Sequence, residues 1–146
     1  MPQATATAHA FAQQVLAFAI AQGPPAAPPG QAAVRACEQL RVTLTPFTGA
    51  AGFRSLLARA LTLAQRETPW LAAVAVTEEG ALAGLLEGAP AQEPAAAAAG
   101  GQALLTQFVG LLYTFVGEAL TRRLLADAWP DAPVATPPPV RQETTP

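Results

Sequence analysis

The stretch GLLYTFVGEALTRRLL, residues 110–125, decides the fold. It opens as apolar as a membrane span and closes on two adjacent arginines, Arg122 and Arg123. It belongs to a run of 24 uncharged residues, 94–117, which by length alone is a candidate transmembrane helix. The strongly apolar positions, Leu104, Leu105, Phe108, Val109, Leu111, Leu112, Phe115 and Val116, lie within only 13 residues. That is about 20 Å of helix against a hydrocarbon core of about 30 Å. Orientation is a second objection. The flanking arginines would hold the C-terminal side in the cytoplasm, so everything before them would need export, and the N-terminus has no positively charged leader. A bilayer span is therefore disfavoured and a cytoplasmic location is expected.

A helical wheel divides the same segment into two halves. Leu104, Leu105, Phe108, Val109, Leu111, Leu112, Phe115, Val116, Ala119 and Leu120 cover one, and Thr106, Gln107, Gly110, Tyr113, Thr114, Gly117 and Thr121 the other. The central helix of a bundle needs that division, because its neighbours pack on the broad apolar half. The expected helix runs from 94 to 128, ahead of Pro130. Gly110 and Gly117 each cost about 1 kcal/mol relative to alanine inside it. The row Thr106, Gly110, Tyr113, Gly117 is thus a candidate interface, receiving either the first helix of the same chain or a symmetry-related subunit. Glu118 and Arg122 stand at i and i+4, in the favourable order for a helix pair. They form either an exposed pair or, with Glu118 partly buried, a contact that fixes a neighbouring helix through an arginine such as Arg59. Beyond Glu118 the apolar face rotates, bringing Leu124, Leu125 and Trp129 round the helix.

Outward from this pillar, residues 4–22 place Phe11, Val15 and Phe18, with Leu16 and Ile20 one row over, at helical spacing. The proline-rich connector GPPAAPPG, 23–30, ends that helix. A second begins at about 31, carries Val34, Cys37, Leu40 and Leu44 on one face, and is expected to stop before Pro46. A third runs from 48 or 49 to 67. Phe53, Leu56, Leu57, Ala60, Leu61, Leu63 and Ala64 fall in one arc, with Arg54, Ser55, Arg59, Thr62 and Arg66 opposite. Alternation around Val74 and Val76, a turn at EEG and resumption at Leu82 predict a β-hairpin over 72–77 and 81–86, with a broken helix as the competing reading. The tail, 131–146, has too much proline and too little periodicity to pack, and is expected to be disordered. The sum is a mainly α domain over 1–130: a four-helix bundle-like fold with a small inserted β-hairpin.

The segments TFVGEALTRRLLADAWPD and GAAGFRSLLARALTLAQRETPWL resemble small, Ala-rich, uncharacterised helical proteins of GC-rich bacteria. The likeness covers residues 49–71 and 110–131. It implies a shared domain and transfers no functional residue.

Composition excludes more than it suggests. Only 12% of residues are charged, the net charge is -2, and all eight positive charges are arginine, so no basic field invites nucleic acid. His9 is the only histidine, Ser55 the only serine, and lysine is absent, which removes the usual triads, Schiff bases and phosphate loops. Cys37 cannot pair within the chain and reads as a small apolar residue on a helix face. The carboxylates form no paired motif on a helix face, although Glu67 lies on the apolar side of its helix and is expected to bond the adjoining turn or an arginine. Gly100 and Gly101 read as a weak point or a helix start. No catalytic residue, metal or cofactor is expected. Trp70 beside Pro69 and Trp129 beside Pro130 read as core plugs at the ends of elements, and as the first interface candidates if exposed. The expected role is a non-enzymatic interaction or regulatory module acting on a protein partner or on itself as a homodimer. The alternative is a membrane-associated protein anchored by the helix 94–128.

Overall fold

The computed structural model describes residues 2–22, 30–89 and 92–129. The connector (apart from Gly30), the tail and the side chains of His9 and Phe18 lie outside the described residues. Helix α1 spans Pro2–Gln22, α2 Gln31–Glu67, α4 Pro94–Val116 and α5 Glu118–Ala128. Between α2 and α4 come a 3-10 turn, Pro69–Ala73, strands β1 Ala75–Val76 and β2 Leu82–Ala83, and a single-turn helix α3, Leu85–Gly88. The domain is mainly helical, with four main helices packed together and one small antiparallel hairpin.

The face that α1 buries is Phe11, Ala12, Val15 and Ala19, spaced to fall along one stripe, and it packs chiefly against α4. Ile20, read above as part of the apolar side, is 64% exposed. Helix α2 buries Ala33, Ala36, Cys37, Leu40 and Leu44 in its first arm and Phe53, Leu57, Ala60, Leu61 and Ala64 in its second. The expected stop before Pro46 is not where the chain breaks. Helix continues through the proline to Gly49, whose φ of 75° and ψ of 159° form a kink. Pro46 withholds one N–H, but it, Val42 and Phe47 are exposed, so the orphaned carbonyl of Val42 lies on a side open to water. Thr45 Oγ1 and Thr48 Oγ1 donate to the carbonyls of Arg41 and Leu44, at 2.5 and 3.3 Å, a bonding pattern that bends helices. Among the described residues nothing stands within 4 Å of where a Cβ at Gly49 would sit, so its glycine serves the backbone angle and not a close contact.

The hairpin pairs Ala75 with Ala83 and Val76 with Leu82. It is shorter than expected at both ends. Pro69 starts a 3-10 turn that absorbs residues 72 and 73, and Gly84, at φ 92°, turns the chain into α3. The hairpin tip lies on the second arm of α2: Arg54 donates to the Glu78 carbonyl at 3.0 Å, and Gly80 sits over the Phe53 ring.

The expected single helix 94–128 is two. Gly117, at φ 88° and ψ 161°, separates α4 from α5 and is exposed. The rotation of the apolar face past Glu118 now has its reason: Leu124, Leu125 and Ala128 of α5 and Trp129 just beyond it are buried in a direction of their own, α5 packing against α2 and α4. Helix α4 is the pillar of the core through Leu112. Leu104, Leu105, Phe108 and Leu112 are essentially inaccessible, and the Phe108 ring lies 5.5 Å from that of Phe53 at 57°.

Candidate interaction surface

Past Leu112 the expected burial fails. Phe115 is 64% exposed, and Val116, Ala119 and Leu120 are exposed beside it. The helical wheel placed these four on the core side. The break at Gly117 carries α5 off the axis of α4, so the neighbours that cover Leu104 to Leu112 do not cover the corner. The result is an apolar edge made of the last turn of α4 and the first of α5.

The glycine row behaves differently along its length. Thr106 is buried, Gly110 and Tyr113 are half-buried, and Gly117 is exposed. Among the described residues no atom comes within 4 Å of a Cβ built on Gly110 or Gly117, so none of the described side chains of the first helix seats on either glycine. The close approaches belong instead to Gly100 and Gly101. A Cβ on Gly100 would stand 2.4 Å from Trp70 Cζ2, and one on Gly101 2.9 Å from Ala33 Cβ. These two glycines, read above as a weak point, let the 3-10 turn and α2 seat against α4.

Both tryptophans pack on the core. Trp129 is buried, and Trp70 is half-buried with Nε1 donating to the Ala96 carbonyl at 2.9 Å. Neither has the exposure that an interface role required. Glu118 and Arg122 pair at 2.6 Å, with the Glu118 side chain 62% exposed, so this is a solvent-side bridge worth less than about 1 kcal/mol. Arg59 makes no ion pair among the described residues. Glu67, exposed, accepts a hydrogen bond from Gln107 Nε2 at 2.6 Å and not from an arginine or the adjoining turn.

Among the described residues, two hydroxyls in α4 and α5 lack hydrogen-bond partners while shielded from solvent: Thr106 Oγ1 and Thr121 Oγ1. Burial pushes the Tyr113 phenol above its ordinary pKa, the nearby Arg122 guanidinium pulling down and Glu118 pushing up.

Among the described residues no three His, Cys, Asp or Glu side chains gather as a metal site would need. Cys37 is buried, and desolvation pushes its thiol up to about 12, which keeps it protonated and unreactive at neutral pH. A pH dependence follows. In the unfolded chain this thiol ionises near 9.0, so its contribution to stability is complete below that pH. It is lost as pH rises from there toward about 12, at a slope approaching about 1.4 kcal/mol per pH unit. Urea unfolding of Cys37→Ala against the parent between pH 8 and 11 should show the smaller alkaline loss in the variant.

No protein-family model matches the chain, and no curated protein or solved structure matches it either.

Proposed function

We propose that this chain is a non-enzymatic helical interaction module that associates with a protein partner or with itself through the apolar edge at the α4–α5 corner. The observation that carries this reading is Phe115, a large aromatic side chain 64% exposed at the end of a helix whose core side is buried as far as Leu112. Val116 and Leu120 extend the patch, and the Glu118–Arg122 pair supplies a polar margin. An apolar centre with a polar rim is the usual anatomy of an association surface.

Phe115→Asp tests it. The side chain is largely in water, so unfolding free energy should change by no more than about 0.5 kcal/mol. Association, followed by sedimentation across a wide concentration range, should weaken by about 30-fold if Phe115 is an anchor of the contact. An unchanged sedimentation profile in the variant overturns the assignment.

A second reading keeps α4 for a bilayer. Residues Ala95–Val116 are long and apolar enough to span one, with mean hydropathy 1.3 over the relevant window. Against it, 56% of that window is buried within the protein's own fold. Fractionation without detergent separates the two: recovery with the membrane pellet would favour the anchor.

A further inference from the structure

We infer that α5 is an exchangeable element: Gly117 is a hinge through which α4 and α5 straighten into one helix, and α5 then seats on a second copy of this chain. This rests on the corner being an association surface and names what covers it.

The hinge is a single residue. The Gly117 N–H donates to the Tyr113 carbonyl at 3.1 Å, and the Thr121 N–H donates to the Gly117 carbonyl at 3.1 Å. Helical bonding therefore runs up to the break and resumes at it. Straightening changes the two torsions of Gly117 and leaves the helices on either side intact. The present torsions, φ 88° and ψ 161°, belong to a region essentially reserved for glycine. Among the described residues no neighbour lies within 4 Å of its Cβ position to wedge the bend in place. The bend is held by what α5 buries.

That docked face is Thr121, Leu124, Leu125, Ala128 and Trp129, set against α2 and α4. A straightened helix carries the face away from its own α2 and vacates a socket shaped for an identical segment. Only another α5 supplies those side chains in that order, which fixes the occupant as a second copy. The bare residues of the protomer also gain a place. Phe115, Val116, Ala119 and Leu120 flank the hinge, and in a continuous helix they extend the stripe of Leu104, Phe108 and Leu112. Where two hinge segments cross in a two-fold dimer, that extension faces its own equivalent.

Gly117→Ala is the test. Alanine gains about five-fold over glycine in a helix interior. It also loses about five-fold or more in the bent conformation. The straight form should rise about 25-fold per chain, and the dimerisation constant by about the square of that. Ala98→Gly, a helix-propensity change of similar size at an exposed position of α4 far from the corner, should leave dimerisation within about two-fold. Spin labels on cysteines replacing the exposed Ala99 and Asp127, diluted with unlabelled chain, read the geometry, Cys37 being buried and unlabelled. A continuous helix sets them about 42 Å apart, and the bent protomer holds them closer.

A dimer carrying the long intrachain distance supports exchange. A dimer that keeps the monomer's distance overturns exchange and leaves the association reading standing. A Gly117→Ala chain that stays monomeric, or that binds only unrelated proteins through Phe115, also overturns it. Should Gly117→Ala fail to fold, the parent chain labelled at the same sites and refolded at high concentration decides, the short distance in every fraction being the negative result.

Discussion

Phe108→Ala is expected to lower the unfolding free energy by about 3 to 5 kcal/mol. Phe108 is 1% exposed near the middle of α4, and its ring meets that of Phe53, equally buried, across the contact with the second arm of α2. Truncation removes the transfer energy of the ring and leaves a cavity whose walls belong to different helices and cannot all close on it. It also removes the tilted ring pair, worth about 0.5 to 1.5 kcal/mol beyond area. Domains of this kind have only about 5 to 15 kcal/mol to lose. The change should appear as a large fall in the urea midpoint with the slope retained. A Phe53→Ala, Phe108→Ala cycle should give less than the sum of its single effects, since each single variant already forfeits the pair. A loss under about 1 kcal/mol would mean that α4 is not the pillar described.

Gly84→Ala should cost about 2 to 5 kcal/mol, two effects adding. The residue holds φ at 92°, where an L side chain is strained by about 1 to 2 kcal/mol. Its Cβ would stand 2.6 Å from the Ala73 carbonyl oxygen, and that atom is backbone, fixed by the 3-10 turn. Relieving the clash displaces either the turn or β2, at about 1 to 3 kcal/mol. Gly80→Ala is the comparison: φ is 83°, but its nearest neighbour is the Phe53 ring edge at 3.4 Å, so only the backbone strain applies. Chemical unfolding of the two variants side by side reads the difference, and equal losses would dismiss the carbonyl clash.

How far the sequence speaks depends on which physical rule is local. The second arm of α2 was legible because its arc of Phe53, Leu57, Ala60, Leu61 and Ala64 is a property of helix geometry alone. The hairpin was legible from Gly80 and the alternation at Val74 and Val76, though not its length, because Gly84 ends β2 for a reason, the Ala73 carbonyl, that lies eleven residues away. Pro46 misled because an exposed proline within a helix costs one bond, and the carbonyl it orphans, that of Val42, lies on a side open to water.

The glycines mark the limit most clearly. Gly100, Gly101, Gly110 and Gly117 all sit in one helical pattern, and nothing local separates them. Two admit a neighbour's side chain, one stands over open space and one breaks the helix. Only the packing of distant elements assigns those roles. The same holds for the apolar edge: a wheel gives the direction of Phe115 but not where the covering helices end. Of the residues singled out for interaction, Gly117 forms the corner beside that edge, Gly110 and Tyr113 are half-buried on the other half of α4, Thr106 and Trp129 are buried, and Trp70 packs half-buried against the core.

The packing of α1 on α4 has a bearing on how the chain is made. The end of the one and the start of the other are separated by 72 residues, from 22 to 94, and α1 reaches its main partner only after the whole of α2 and the hairpin have been synthesised. At ribosomal speeds of about 5 to 20 residues per second, that interval is about 4 to 14 s. For its duration Phe11, Ala12, Val15 and Ala19 have only α2 for shelter. Nascent α1 is therefore the segment with most to offer a chaperone, and closing so long a loop makes its docking a late step in folding.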